Sequence, residues 1–193
     1  MTAKREITRD DIIAMDDFEA IRVDKRRTLL PIKKLRRVAL GPDATLYFES
    51  YDTMWQQIHE MLRIEKGGEA QIADELSAYA PLVPKGGELV ATLMFEIDDE
   101  ERRERVLRSL GGVEERLYVQ VGAARAYARP EQDVERTSAD GKTSSVHFLH
   151  FDLDEAAQAG FVSAEVIIGC DHENYAHMAG LSQASKDELA KDL

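Results

Sequence analysis

Cysteine is nearly missing from this chain: Cys170 is the single one among 193 residues. That excludes an intramolecular disulfide and any cysteine-rich zinc site, and a redox thiol would have no resolving partner. Cys170 reads as a buried or incidental thiol. No apolar run approaches the roughly 18–20 residues that a membrane-spanning helix needs. The opening residues MTAKREITRDD hold no apolar core of a signal peptide, so a cytoplasmic protein with no membrane partner is the expectation. Phosphate loop, Gly-x-Gly-x-x-Gly, Gly-x-Ser-x-Gly, His-Glu-x-x-His and EF-hand loop are all absent, which counts against the common NTPases, dehydrogenases, hydrolases and zinc proteases. Positive charge is short as well. A formal net charge of −12 argues against nucleic-acid binding, because phosphate contacts need a basic surface. There is no internal repeat and no low-complexity tract.

What is present belongs to a globular protein, with 44% apolar and 32% charged residues. The length fits one domain over residues 1–193 with a sizeable core. The cations that do occur are concentrated. Arg22, Lys25, Arg26, Arg27, Lys33, Lys34, Arg36 and Arg37 face Asp24 alone between positions 22 and 37. Arg26, Arg27, Lys33, Lys34, Arg36 and Arg37 form a candidate patch for an anion or an acidic partner. The competing reading pairs these cations with the protein's own acidic surface.

The chain is organised around Phe48–Glu65, FESYDTMWQQIHEMLRIE. A short β segment over 45–49 runs into a helix capped by Asp52. At about 100° per residue, Met54, Ile58, Leu62, Trp55 and Met61 share one apolar arc. Glu65 falls inside that arc and Gln57 on its shoulder, while Gln56, His59 and Arg63 point to water. A docking helix that brings polar groups inward must supply partners for them.

Around this stretch, 8–15 reads as a short helix capped by Thr8. Positions 18–23 alternate loosely, and 32–40 alternate as a strand lying partly in water. Gly41-Pro42-Asp43 is a turn, and Gly67-Gly68 ends the central helix. A helix follows over 70–79. Leu89–Ile97, apolar on nearly both faces, reads as a central strand that would carry Glu96 inward if its second face is covered. A helix from the acidic run at 98–104 to Gly111, a strand at 117–121, a polar mobile loop at 130–144 with an Asp140-Gly141 hairpin signal, and strands at 146–153 and 162–169 come next, the last two joined by a short helical link at 154–159. The tail 181–193 is an amphipathic helix anchored by Leu181 and Leu189. The order of elements predicts an α+β fold, a mostly antiparallel sheet with helices packed on one face or end.

The candidate polar cluster is Glu49, Gln57, Glu60, Glu65, Glu96, His147 and His172. His147 shares a strand face with Leu149, Phe151 and Leu153, His150 lies on the opposite face, and His59 and His177 look solvated. Carboxylates with an imidazole suit iron, manganese or zinc, and Glu65, Glu96 and His147 are the candidate ligands. The rival account is an internal salt-bridge network in which Arg36, Arg37 or Arg63 holds Glu65 or Glu60.

The strings RRVALGP, LYFESYDTMWQQIHEMLRIE, IADELSAYAPLVP, LVATLMFEI, SSVHFLHF and IIGCDHENY, in this order, resemble the bacterial family catalogued as domain of unknown function 3501. The likeness runs from about Ile7 to Leu193. The positions matching its pattern include Arg36, Arg37, Glu49, Thr53, Gln57, Glu60, Arg63, Glu65, Glu96, His147, His172 and Tyr175. The resemblance implies a setting near rubrerythrin-like and iron–sulfur oxidoreductases, hence iron or peroxide handling. Three functions follow as expectations: an accessory protein with a redox-protein partner, a metal- or cofactor-dependent enzyme built on the carboxylate/His cluster, or a purely structural cluster with function on the surface.

Overall fold

The first long element is a helix where alternation suggested strands. In the computed structural model, which describes residues 4–131 and 141–193, Met15–Leu35 form one 21-residue helix (α1). Its inward side carries Phe18, Arg22, Leu29 and Ile32, with Lys25 exposed on the same line and buried Arg36 following at the C-cap, so cations interleave with the apolar positions at helical spacing. Arg22 pairs with Glu60, and the Lys25 ammonium sits over the Trp55 ring. The long stems cover apolar surface while their charged heads find partners. A hydrophobic-periodicity reading therefore misses the stripe, and Pro31 inside the helix adds a further signal against it. Upstream, the predicted 8–15 helix is only a 3-10 turn, Arg9–Asp11, although Thr8 does cap it.

The fold is α+β, with six α-helices and two antiparallel sheets among the described residues. The first sheet has the order β1-β2-β3-β7-β6, with β1 Arg37–Leu40, β2 Ala44–Phe48, β3 Glu88–Phe95, β6 Arg129–Pro130 and β7 Val146–Asp152. The second has the order β5-β4-β8-β9, with β4 Leu117–Val121, β5 Ala124–Tyr127, β8 Val166–His172 and β9 Tyr175–Gly180. The strand predicted over 32–40 is thus four residues long, and the last strand starts at Val166 rather than Val162. β5 and β9 carry no strong signal because both are edge strands with mostly exposed side chains.

β3 is central, as its two apolar faces require. Leu89, Ala91, Leu93 and Phe95 join Leu149 and Phe151 of β7 against Val119, Val166 and Ile168 of the second sheet. Val90 turns the other way, toward Met54, Trp55, Ile58 and Leu62 of α2 (Tyr51–Glu65) and Ile72 of α3 (Glu69–Tyr79). The layers are therefore helices, five-stranded sheet and four-stranded sheet. Three further helices, α4 (Glu100–Arg108), α5 (Glu155–Gly160) and α6 (Gln183–Leu189), close the sequence of elements, α4 starting at Asp99 and α5 at Asp154 through side-chain caps.

Two local expectations are corrected. The cap of α2 is Ser50, whose hydroxyl accepts from the Thr53 amide while the Thr53 hydroxyl accepts from the Ser50 amide; Asp52 lies exposed in the first turn. His59 and Gln56 do not face water. α1 covers that side of α2, so the helix is enclosed on both sides and His59 is fully buried. His177 is half-buried over Gly41, where φ is +69° and an added Cβ would meet the imidazole at 2.5 Å. Most of the predicted polar loop, residues 132–140 with the Asp140 half of its hairpin signal, lies outside the described residues.

Candidate functional site

Glu49 is the residue around which a site is built. It sits between the end of β2 and the Ser50 cap of α2, and its amide donates to Val90 O at 2.7 Å, so the sheet pins its backbone. Its side chain is buried beneath a cavity of about 330 Å³ between the helical layer and the first sheet. Phe48, Met54, Leu82, Met94, Val146 and Phe148 supply apolar lining. Thr53 Oγ1 lies 2.6 Å from one carboxyl oxygen of Glu49 and Thr92 Oγ1 lies 2.7 Å from the other. No cation forms an ion pair with Glu49 among the described residues.

Burial pushes the Glu49 carboxyl above the usual carboxylate range; the two threonine hydroxyls and the charges of Lys33 and Arg36 pull only partly the other way. The Thr53 hydroxyl also receives the Ser50 amide at 2.8 Å and lies 3.1 Å from Ser50 O. It can donate to Ser50 O and accept from a protonated Glu49, or donate to an ionised one. The arrangement thus serves both protonation states of one carboxyl.

Arg36 braces this floor. Its guanidinium donates to Glu49 O at 3.0 Å, to Asp192 Oδ2 at 2.7 Å and to Glu188 Oε1 at 3.0 Å, with all three side chains buried. Arg5 adds bonds to the main-chain oxygens of Asp192 and Leu193.

Lys33, Tyr47 and Gln57 line this cavity and also an adjoining surface groove of about 530 Å³. Arg22, Arg26, Lys34 and Arg37 complete the basic side of the groove. Four cations of the segment are neutralised internally: Arg22 by Glu60, Arg27 by Asp24, Arg36 by Glu188 and Asp192, and Arg37 by Glu96. Lys33, Lys34 and Arg26 are exposed and make no ion pair among the described residues.

The remaining candidates go elsewhere. Glu65 ends α2 beyond the core and is exposed, accepting from Gln71 Nε2 at 2.9 Å. Glu96 is on the helix-facing side of β3, but the helical layer does not reach that far. It is exposed and held by Thr45 at 2.6 Å, Tyr47 at 2.7 Å and Arg37 at 3.3 Å. His147 is fully buried between the sheets, with Nε2 2.9 Å from Ser144 O and 3.1 Å from Thr143 Oγ1. Glu65, Glu96 and His147 therefore do not meet, and no group of three or more His, Cys, Asp and Glu side chains is placed to hold a metal ion among the described residues. Glu60 pairs with Arg22, and Arg63 pairs with Glu19, so the internal network is real but joins other partners than the expected ones. His172 satisfies a turn, accepting from the Asn174 amide and facing Gly111 O at 3.3 Å.

Two histidines have surroundings that are not legible in the sequence. His59 donates from Nδ1 to Trp55 O at 2.7 Å and accepts the Ile13 amide at Nε2, at 3.2 Å, between the rings of Phe18 and Trp55. Burial lowers its pKa, outweighing the bond to Trp55. His150 is clamped between Glu88 at 2.8 Å and Glu131 at 2.7 Å. Burial opposes its imidazolium, but the two carboxylates outweigh burial and raise the pKa.

Fold and cavity together define an α+β protein with a buried carboxyl beneath a small, partly open cavity and a basic groove adjoining it. The chain belongs to the family described as "Protein of unknown function (DUF3501)", whose model matches residues 6–193. It is similar to a protein of unknown function from Burkholderia pseudomallei whose crystal structure is known, at 39% identity and a TM-score of 0.89, with 100% of each chain covered. No curated protein matches.

Proposed function

We propose that this protein binds a small organic molecule in the Glu49 cavity, the ligand's apolar body lying against Met94, Val146 and Phe148 and a polar group hydrogen-bonding to Glu49. The observation that carries this reading is a buried carboxyl with no ion-pair partner among the described residues, kept at the foot of a cavity instead of in solid packing. Such a group costs stability, and proteins retain it where it meets a ligand or a proton. The size of the cavity, its largely apolar wall and its few convergent polar groups are those of a ligand site.

A second reading, an enzyme that uses Glu49 as general acid or base, is favoured by the upward push on its pKa. Glu49 is the one acid in the cavity lining and no histidine joins it, so the donors there do not form a carboxylate–imidazole metal set. A role in iron or oxidative-stress metabolism, as the family resemblance implies, would be exercised through the molecule bound.

1-Naphthol, a compact aromatic with one hydroxyl, tests the reading. Saturable binding followed by naphthol fluorescence is expected, together with its loss in Met94→Trp, which fills the cavity. Circular dichroism checks that the variant is folded. Absence of saturable binding, or binding that survives in a folded Met94→Trp, overturns the assignment.

A further inference from the structure

The basic groove and the Glu49 cavity share Lys33, Tyr47 and Gln57, so the two spaces adjoin at the Lys33 side chain. From this we infer that the physiological ligand is a phosphorylated small molecule, its apolar body in the cavity and its phosphate among Lys33, Lys34 and Arg26. The inference rests on the binding reading above and adds the chemical class of the ligand.

Three observations carry it. First, these cations are surplus. Four other cations of the segment 22–37 are neutralised internally, Arg22 by the groove's own Glu60, yet Lys33, Lys34 and Arg26 are exposed in the groove and make no ion pair among the described residues. Second, the chain is strongly acidic, at −12, so a cluster of unpaired cations stands out in the field and attracts anions to one place. Third, the charge distribution matches a two-part ligand. The cavity has largely apolar walls and one carboxyl that burial pushes toward its neutral form, whereas Lys34 and Arg26 lie in the groove outside it and Lys33 lies where the two adjoin, the three cations spanning about 10 Å of α1. A phosphate monoester, with a charge of about −1.5 to −2 at neutral pH and three acceptor oxygens, can engage several of these donors at once, which a single carboxylate does less well.

The experiment compares 1-naphthol, 1-naphthoate and 1-naphthyl phosphate on the full chain at pH 7.5 and low salt. The expected result is at least tenfold tighter binding of 1-naphthyl phosphate than of 1-naphthol. That ratio should fall toward one in Arg26→Gln/Lys34→Gln and shrink with added salt. Equal affinity for the two compounds, an equal gain for 1-naphthoate, or a ratio that the double variant leaves intact overturns the phosphate assignment. Saturable 1-naphthol binding with no phosphate gain sinks this inference alone; failure of 1-naphthol to bind saturably sinks the underlying reading as well.

Discussion

Arg36 and Glu49 are joined through the main chain, not through their charges: Nη1 of Arg36 donates to Glu49 O at 3.0 Å, and the remaining donors of the guanidinium go to Glu188 and Asp192. One arginine thus ties the floor of the cavity to the last helical turn of the chain. Arg36→Ala leaves buried Asp192 without its ion-pair partner and Glu188 with Lys191 alone, and a loss of about 3–5 kcal/mol in unfolding free energy is expected. Adding Glu188→Gln and Asp192→Asn should restore part of it. Urea denaturation measures both, and a loss below about 1 kcal/mol would show that the guanidinium is dispensable.

The Glu49 carboxyl has its folded pKa raised from a reference of 4.5. Between those values the native state holds a proton that the unfolded state has released. Stability is therefore expected to fall as pH rises from 4.5 through the folded pKa. Glu49→Gln removes this dependence and should unfold at the same or a higher temperature than wild type at pH 8. A wild-type profile no steeper than that of Glu49→Gln over this window would mean that the carboxyl ionises freely.

His59 and His150 titrate with opposite signs. Burial lowers His59 from 6.5, so the unfolded state takes up the proton first and wild type loses stability as pH falls below about 6.5. His59→Gln should therefore look most damaging near pH 8 and less so at pH 5. His150 is raised from 6.5 by Glu88 and Glu131 despite its burial, so its contribution is complete below 6.5 and disappears as pH rises through its folded pKa. The penalty of His150→Gln should be largest in acid and smaller in base. NMR titration of the imidazole protons reports each pKa directly; matching slopes for the two variants would refute the assignment.

Ser50 rather than Asp52 caps α2. Ser50→Ala should cost about 1 kcal/mol, within the usual range for a lost N-cap. Asp52→Ala, which loses only a favourable charge in the first turn, should cost about 0.3–1 kcal/mol at low salt and less at high salt. A larger cost for Asp52→Ala than for Ser50→Ala reverses the assignment.

Legibility in the sequence followed the chemistry of the buried stripe. The apolar faces of β3 and of α2 were readable because Leu, Ile, Val and Phe occupy the inward positions. α1 was not, because half-buried Arg22 sits in its stripe, exposed Lys25 lies over Trp55 and buried Arg36 follows at its C-cap. The acidic and amide residues of α2 show the same limit. Gln57 does reach the cavity neck, but Glu65 lies one turn too far along the helix to meet the core, and Glu96 passes the edge of the helical layer. His59 turned inward because α1 covers what looked like the open face of α2.

The sequence alone determined the α+β class, the central place of β3 and the concentration of cations in one segment, since these depend on composition and local period, and the family through the resemblance of its specific residue strings. Only the tertiary structure decided that Glu49 sits at the foot of a cavity without an ion-pair partner and that three of those cations make no ion pair beside it, among the described residues. Which charges find each other is set by the path of the chain in space: Glu188 and Asp192, more than 150 positions away, reach Arg36, while no carboxylate among the described residues pairs with Lys33.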